Sequence, residues 1–108
     1  MTEEENAGGF DLGAMLEQAQ QMQSQLVAAQ EELAQTSVEG SAGGVEVTLT
    51  GTGELTAVKV ARGYFDPDDE DSLSDLGDLV VAAYRDAKDK SDELAQRTLG
   101  PLAGGFGP

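Results

Sequence analysis

The densest grouping of potentially reactive side chains is Asp66-Pro67-Asp68-Asp69-Glu70-Asp71, five carboxylates in six residues. Asp66, Asp68 and Glu70 have the one-three-five spacing that opens a calcium-binding loop. The other positions do not fit: Asp71 stands where such a loop turns on glycine, Pro67 stiffens its start, and Gly77 replaces the bidentate glutamate that closes it. The run reads instead as solvated negative charge leading into a helix N-terminus, whose partial positive charge it complements. The chain has no histidine and no cysteine, so the usual general base at neutral pH and the strongest transition-metal ligands are missing. Ser24, Ser37, Ser41, Ser72, Ser74 and Ser91 have no base near them in sequence and suit helices, caps and turns. The glycine sets Gly40-Ser-Ala-Gly-Gly44 and Gly51-Thr-Gly53 each precede a strand, whereas a phosphate cradle opens a helix. The expectation is a protein that is not an enzyme and has no cofactor and no metal.

Polyanion binding is the remaining chemistry to weigh, and it rests on six cations, Lys59, Arg62, Arg85, Lys88, Lys90 and Arg97, against 21 acidic residues and a net charge of −15. Four of the six lie in one helical stretch. There Arg85 has Asp89 four residues on, Lys88 has Asp92, Lys90 has Asp86 four before, and Arg97 has Glu93 four before. This spacing describes an exposed face laced by ion pairs, each worth a few tenths of a kcal/mol; a phosphate-binding face is the competing reading. Lys59 and Arg62, at the end of a strand, serve equally as edge protection. The overall charge favours basic partners over nucleic acid or anionic membranes, although charges beyond about 8 Å are heavily screened at physiological salt and leave room for a local contact.

These residues must be held by few elements. Leu12, Met15, Ala19, Met22, Leu26, Ala29 and Leu33 recur at alternating steps of three and four, which predicts a helix with a narrow heptad seam. Asp11 caps it, and Phe10 packs on Met15 as a hydrophobic staple. A helix ending near Gln35 is about 36 Å long, more than a small sheet can cover, so part of it projects. The seam is the expected homodimer interface, two first helices pairing; the alternative is that it covers the chain's own sheet.

The period then changes to two. Val45, Val47 and Leu49 alternate with polar residues, as do Thr56, Val58 and Val60 with Ala57 and Lys59, giving two strands joined at Gly51-Thr-Gly-Glu54. Thr36-Ser-Val-Glu-Gly40 reads as a preceding strand, so the expectation is a three-stranded antiparallel meander with one buried face on which the first helix packs. A second long helix starts at Ser72, with Asp75 completing a capping box, and stops at Gly100-Pro101. Leu73, Leu76, Leu79, Val80, Ala83, Ala87 and Leu94 form its apolar face, and Gly77 weakens its first turns. The expected fold class is α+β, with an α-β-β-β-α subunit over residues 11–99 between an acidic tail, 1–10, and a Gly/Pro tail, 100–108, both flexible. No apolar run reaches the length of a membrane span, and the N-terminus lacks the basic-then-apolar order of a signal peptide, so a cytoplasmic protein with no membrane partner is expected.

The succession of Gln18-Ala-Gln-Gln-Met-Gln23, Glu31-Glu-Leu-Ala-Gln35, the strand-leading Gly40-x-Ala-Gly-Gly44, Val45-x-Val-x-Leu-x-Gly-x-Gly-x-Leu55 and Asp78-Leu-Val-Val-Ala-Ala-Tyr-Arg-Asp-Ala87 resembles the YbaB/EbfC family of bacterial nucleoid-associated proteins over residues 12–99. The resemblance implies a homodimer whose long first helices project like tweezers. It also implies DNA binding with little sequence preference and a cytoplasmic, nucleoid-linked role beside chromosome organisation, recombination, repair or gene regulation. Family members tend to carry lysines along the first helix; here it has seven glutamines from Gln18 to Gln35 and no cation. Glutamine amides can bond phosphate oxygens or base edges but release no counterions. The candidate DNA contacts are therefore Lys59, Arg62, Arg85 and Lys88 with Gln20 and Gln23, and the expected affinity is weak. The alternative is an acidic dimeric module that binds a basic protein and does not touch DNA.

Overall fold

The computed structural model describes residues 11–104. In chain order the elements are α1 (Leu12–Gln35), β1 (Ser37–Ala42), β2 (Val45–Thr50), β3 (Leu55–Val60) and α2 (Glu70–Gly104). The sheet is antiparallel in the order β1-β2-β3, with Val45 opposite both Ala42 and Val60. Gly43 and Gly44 make the first turn at φ 45° and 85°, left-handed values that suit a two-residue hairpin turn and that a side chain would oppose. The first strand therefore runs on through Ser41 and Ala42. The phenylalanine expected to staple α1, Phe10, lies outside the described residues, as do the rest of the expected N-terminal tail and residues 105–108 of the C-terminal one.

Asp11 caps α1 as its position predicts, its Oδ1 accepting from the amides of Gly13 at 3.0 Å and Ala14 at 3.3 Å. At the other helix both expected boundaries move outward. Asp69 caps α2, with Oδ1 accepting from the Asp71 amide at 3.1 Å, while Ser72 turns back so that its Oγ accepts from the Asp66 amide at 2.7 Å. Aspartate is as good an N-cap as serine, and the acidic first turn of Glu70 and Asp71 adds a favourable interaction with the helix dipole. The helix does not stop at Gly100: Pro101 lies inside it, and it continues to Gly104. Proline lacks one backbone donor, and so near a helix end the missing bond interrupts little structure beyond it.

The sheet is covered by α2 and not by α1, contrary to the expectation that the first helix packs on its buried face. Val45, Val47 and Leu49 of β2 pack with Ala83 and Ala87 of α2 into the buried core, with Val38, Ala42, Phe65, Leu76, Leu79 and Val80 around it. The reason lies at Gly40. A Cβ there would come within 2.2 Å of the Ala87 nitrogen and 2.4 Å of the Ala83 oxygen, so β1 rests directly on the α2 backbone, with small residues on both sides of the contact. A helix drawn over β1 and β2 cannot also cover β3. Leu55, Val58 and Val60, which share the inward face by register, stay about half exposed, as do Val81 and Tyr84 on the adjoining flank of α2. Leu73, expected on the apolar face, is also exposed, at 46%.

Gly40→Ala is expected to lower stability by about 3 kcal/mol or more, because neither backbone can yield to the new methyl group. At Gly77 an added Cβ meets nothing within 4 Å, and alanine there should raise helix stability by up to about 1 kcal/mol. Urea denaturation of the two variants measures both; equal midpoints would remove the close approach from its central place in the fold.

Candidate nucleic-acid interface

Only the C-terminal end of α1 is tied to the sheet. Leu33 is buried, and its carbonyl, with that of Thr36, accepts from the Gly51 amide at 2.9 Å. The same β2–β3 turn is held from the other side by Ser91, buried in α2, whose Oγ donates to the Thr50 carbonyl at 2.9 Å. From there α1 runs outward, and the burial of its seam falls with distance from the sheet. Leu33 is buried, Ala29 and Met22 are half-buried, and every residue from Leu12 to Gln21 is exposed. The inner half of the seam is thus used within the chain, where α1 and α2 touch, while Leu12, Met15, Ala19 and, at 39% exposure, Leu26 remain open. The molecule is 85 Å long but only 24 by 15 Å across, so the free part of α1 is a projecting arm. Gln20 and Gln23 lie on it, beside Ser24, Val27 and Glu31 along a shallow surface groove.

The cations are not gathered into one patch. Lys59 stands opposite Glu46, which alternates with the buried Val45 and Val47, so both point away from α2 on the outer sheet face. Arg62 follows at the exit of β3. Arg85 and Lys88 are on α2, on the opposite side of the sheet, and Lys88 reaches the β2–β3 turn, where a Cβ on Gly53 would lie 3.8 Å from its Cε. Gln20 and Gln23 are farther out along the arm. Two of the four expected i,i+4 pairs are formed, Lys88 with Asp92 and Lys90 with Asp86, the latter at 3.4 Å. Among the described residues, no ion pair joins Arg85 to Asp89 or Arg97 to Glu93.

Asp86 and Lys90 also do something their spacing within the helix does not announce. The Asp86 carboxylate accepts from the Ser41 amide at 3.1 Å, and the Lys90 Nζ donates to the Glu39 carbonyl at 2.8 Å. Both backbone groups face outward from β1, so α2 blocks that edge of the sheet against further strand pairing. The Ser41 amide, and after it the charge of Lys90, hold the Asp86 carboxyl below its ordinary value against the opposing effect of desolvation. Lys88 is held above the ordinary lysine value, first by its bond to Asp92.

A profile of the YbaB/EbfC DNA-binding family matches residues 8–106. Similar proteins include three that are named nucleoid-associated proteins. One from Nocardioides sp. (strain ATCC BAA-499 / JS614) is 57% identical over 91% of this chain and 81% of its own length. One from Rhodococcus jostii (strain RHA1) is 52% identical over 93% and 88%, and one from Thermobifida fusca (strain YX) is 48% identical over 93% and 89%. The chain belongs to the YbaB/EbfC family. Its order of helix, three antiparallel strands and helix agrees with the fold that the resemblance implied.

For a YbaB/EbfC protein the departures now have positions. The arm without cations is the part that stands free, and of the α2 cations Lys88 and Lys90 are held in ion pairs. Sequence reasoning missed the β1 clamp, because it depends on a contact across 45 residues between Ser41 and Asp86. It also missed the exposed Val81 and Tyr84, whose signal was present: both are large apolar residues outside the core-facing positions of α2.

Leu33→Ala is expected to destabilise the protein by about 2–5 kcal/mol, and Ser91→Ala by about 1–3 kcal/mol through the unsatisfied Thr50 carbonyl. Both are measured by chemical denaturation, and neither effect should appear for Leu12→Ala on the free arm. For the clamp, a carboxyl depressed in the folded state stabilises above its ordinary pKa of about 3.9 and loses that contribution as pH falls through the lower folded value. The Ser41 amide resonance should therefore move in acid with the Asp86 carboxyl, and Asp86→Asn should abolish the movement; an amide indifferent to Asp86 would refute the clamp.

Proposed function

We propose that this protein associates with DNA as a homodimer with little sequence preference, in the cytoplasm at the nucleoid, where it would serve chromosome organisation, recombination, repair or gene regulation. Membership of a DNA-binding family across residues 8–106 carries the reading. The projecting α1 supports it, since two such arms on one dimer offer two separate contacts to a long polymer. The contacts come from Lys59, Arg62, Arg85 and Lys88 with Gln20 and Gln23. Phosphate neutralisation by so few cations on a chain of charge −15 gives weak affinity that falls with salt.

A second reading is favoured by the scatter of the cations and by the uncharged-to-acidic arm: the dimer binds a basic protein and has no direct contact with DNA. Gel-shift titration at about 50 and 200 mM salt separates the two, because log affinity falls with log salt by about 0.9 per phosphate neutralised. Retardation at the lower salt that fades at the higher is expected. Replacing Lys59 and Arg62 by alanine should flatten the slope by about one for each phosphate that is no longer neutralised. No retardation at low salt, at any protein concentration, would defeat direct binding. Capture of a basic partner that is lost when Asp68, Asp69, Glu70 and Asp71 are neutralised would then establish the second reading.

A further inference from the structure

The apolar residues of α1 fall on two sides of the helix, and the fold uses one of them. Met22, Ala29 and Leu33 share the side on which burial is found. Leu12, Leu16, Ala19, Leu26 and Val27 centre about a quarter turn around the axis from it, and all five are exposed, the four larger ones by 39 to 65%. Single exposed leucines on a surface mean little. These, however, share one helical phase: Leu12, Leu16, Ala19, Gln23, Leu26 and Gln30 step by four and three, the pattern that a second helix reads. The stripe runs about 24 Å along the axis from Leu12 to Val27, and Gln23 and Val27 also line the shallow groove beside it.

We infer that this outer stripe is the docking surface of a basic amphipathic helix from another protein, laid along α1 with its apolar residues on the stripe and its lysines or arginines beside the arm's carboxylates. The inference rests on the reading in which a basic protein is bound, and gives that protein a surface other than the acidic loop.

Charge selects the occupant. From Asp11 to Gln35 the arm carries Asp11, Glu17, Glu31 and Glu32 and no cation, so acids stand at both ends of the stripe with leucines between them. A second arm of this chain laid there would set carboxylate against carboxylate. Phosphates and anionic lipid headgroups meet the same repulsion, and leucine side chains offer a phosphate no donor. A helix with an apolar face and flanking cations satisfies both features at once: its leucine-like residues remove Leu12, Leu16, Leu26 and Val27 from water, while its cations pair with the arm at either end. Gln23 and Gln30 interrupt the stripe with amides, and a polar residue in a helix seam fixes register when the partner meets it with another. The arm is built to receive such a helix without rearranging, since its inner end is fixed at Leu33 and the β2–β3 turn and its outer residues carry no part of the core.

Fluorescence anisotropy on the full chain tests the surface with a labelled synthetic peptide of about 18 residues, leucine at the a and d positions and lysine at e and g, against a scrambled peptide of the same composition that has no apolar helix face. The patterned peptide should bind at micromolar concentration and the scrambled one at least about tenfold more weakly, because only the first can bury the stripe. Leu16→Gln combined with Leu26→Gln should lower affinity about tenfold or more with helical circular dichroism unchanged, and Glu17→Gln combined with Glu31→Gln by about threefold with a weaker dependence on salt. Because the chain has no cysteine, Ala19→Cys gives a single thiol on the stripe, whose reaction with a maleimide should slow at saturating peptide, whereas Gln21→Cys, about half a turn away, should react at its unbound rate. Equal binding of the scrambled peptide, wild-type affinity in the double leucine variant, or an unprotected Ala19→Cys thiol would overturn the docking surface and leave the basic-protein reading standing. No binding of the patterned peptide at about 100 μM would also overturn the surface, while the basic-protein reading is decided apart from it, by capture of a partner through the acidic loop.

Discussion

The contact between Gly40 and the α2 backbone at Ala83 and Ala87 decides where everything else goes. Because β1 carries no side chain at this point and α2 offers only methyl groups beside it, strand and helix approach to a distance at which a Cβ would overlap the helix backbone. That approach draws α2 toward the β1 side of the sheet, where Asp86 and Lys90 then fasten it to the outward-facing groups of the edge strand. A helix about 10 Å wide set over strands spaced about 4.8 Å apart covers two of them. The bare inward face of β3 is thus a direct consequence of the tight packing at β1, and the asymmetry of the sheet traces to one glycine and two alanines.

Displacing α1 from the sheet is the second consequence. With α2 in the place expected of the first helix, α1 keeps only its terminal anchor at Leu33 and the β2–β3 turn, and its lateral support comes from α2. The anchor is polar as well as apolar: the Gly51 amide reaches the helix carbonyls and Ser91 satisfies the Thr50 carbonyl from below. A buried serine hydroxyl with its bond made holds a turn in one orientation. The direction of the arm is therefore fixed by the turn, while its outer residues make no packing contribution to the fold. Glutamines suit that duty, since they are good helix formers that stay soluble without a partner.

The parts of this structure visible in the sequence were the local ones. The heptad steps of α1, its Asp11 cap, the alternation of β2 and the Gly-rich turns each depend on residues close together in the chain. What periodicity could not give was the identity of the surface that each apolar face meets. The α1 seam and the α2 stripe both read as helices seeking cover; that α2 takes the sheet follows from Gly40, whose importance appears only when Ala83 and Ala87 are placed across from it. The i,i+4 pattern of acids and bases on α2 was likewise half informative. It found Lys88 with Asp92 and Lys90 with Asp86, but the second pair also commits its donors and acceptors to β1. The α2 cap shifted because several neighbouring aspartates could supply it, and Asp69 accepts from the Asp71 amide while Ser72 is drawn into the loop itself. Neither the scatter of Lys59, Arg62, Arg85 and Lys88 over two faces nor their distance from Gln20 and Gln23 could be read before the sheet was assembled.

The charge distribution bears on how such an assembly could hold a polyanion. An arm with seven glutamines and no cation gains little from counterion release, which supplies most of the affinity in nonspecific DNA binding. Each contact must then be weak, and a single chain would hold DNA poorly. Two arms fixed in one assembly change this, because once the first is engaged the second acts at an effective concentration set by the spacing between them, without any new contact. The rigidity of the anchor at Leu33, Gly51 and Ser91 matters for that reason: an arm free to swing would dilute the advantage. In the proposed homodimer, then, pairing contributes what the arm chemistry lacks: it joins two weak, cation-free grips into one bivalent hold, against the −15 that each chain carries.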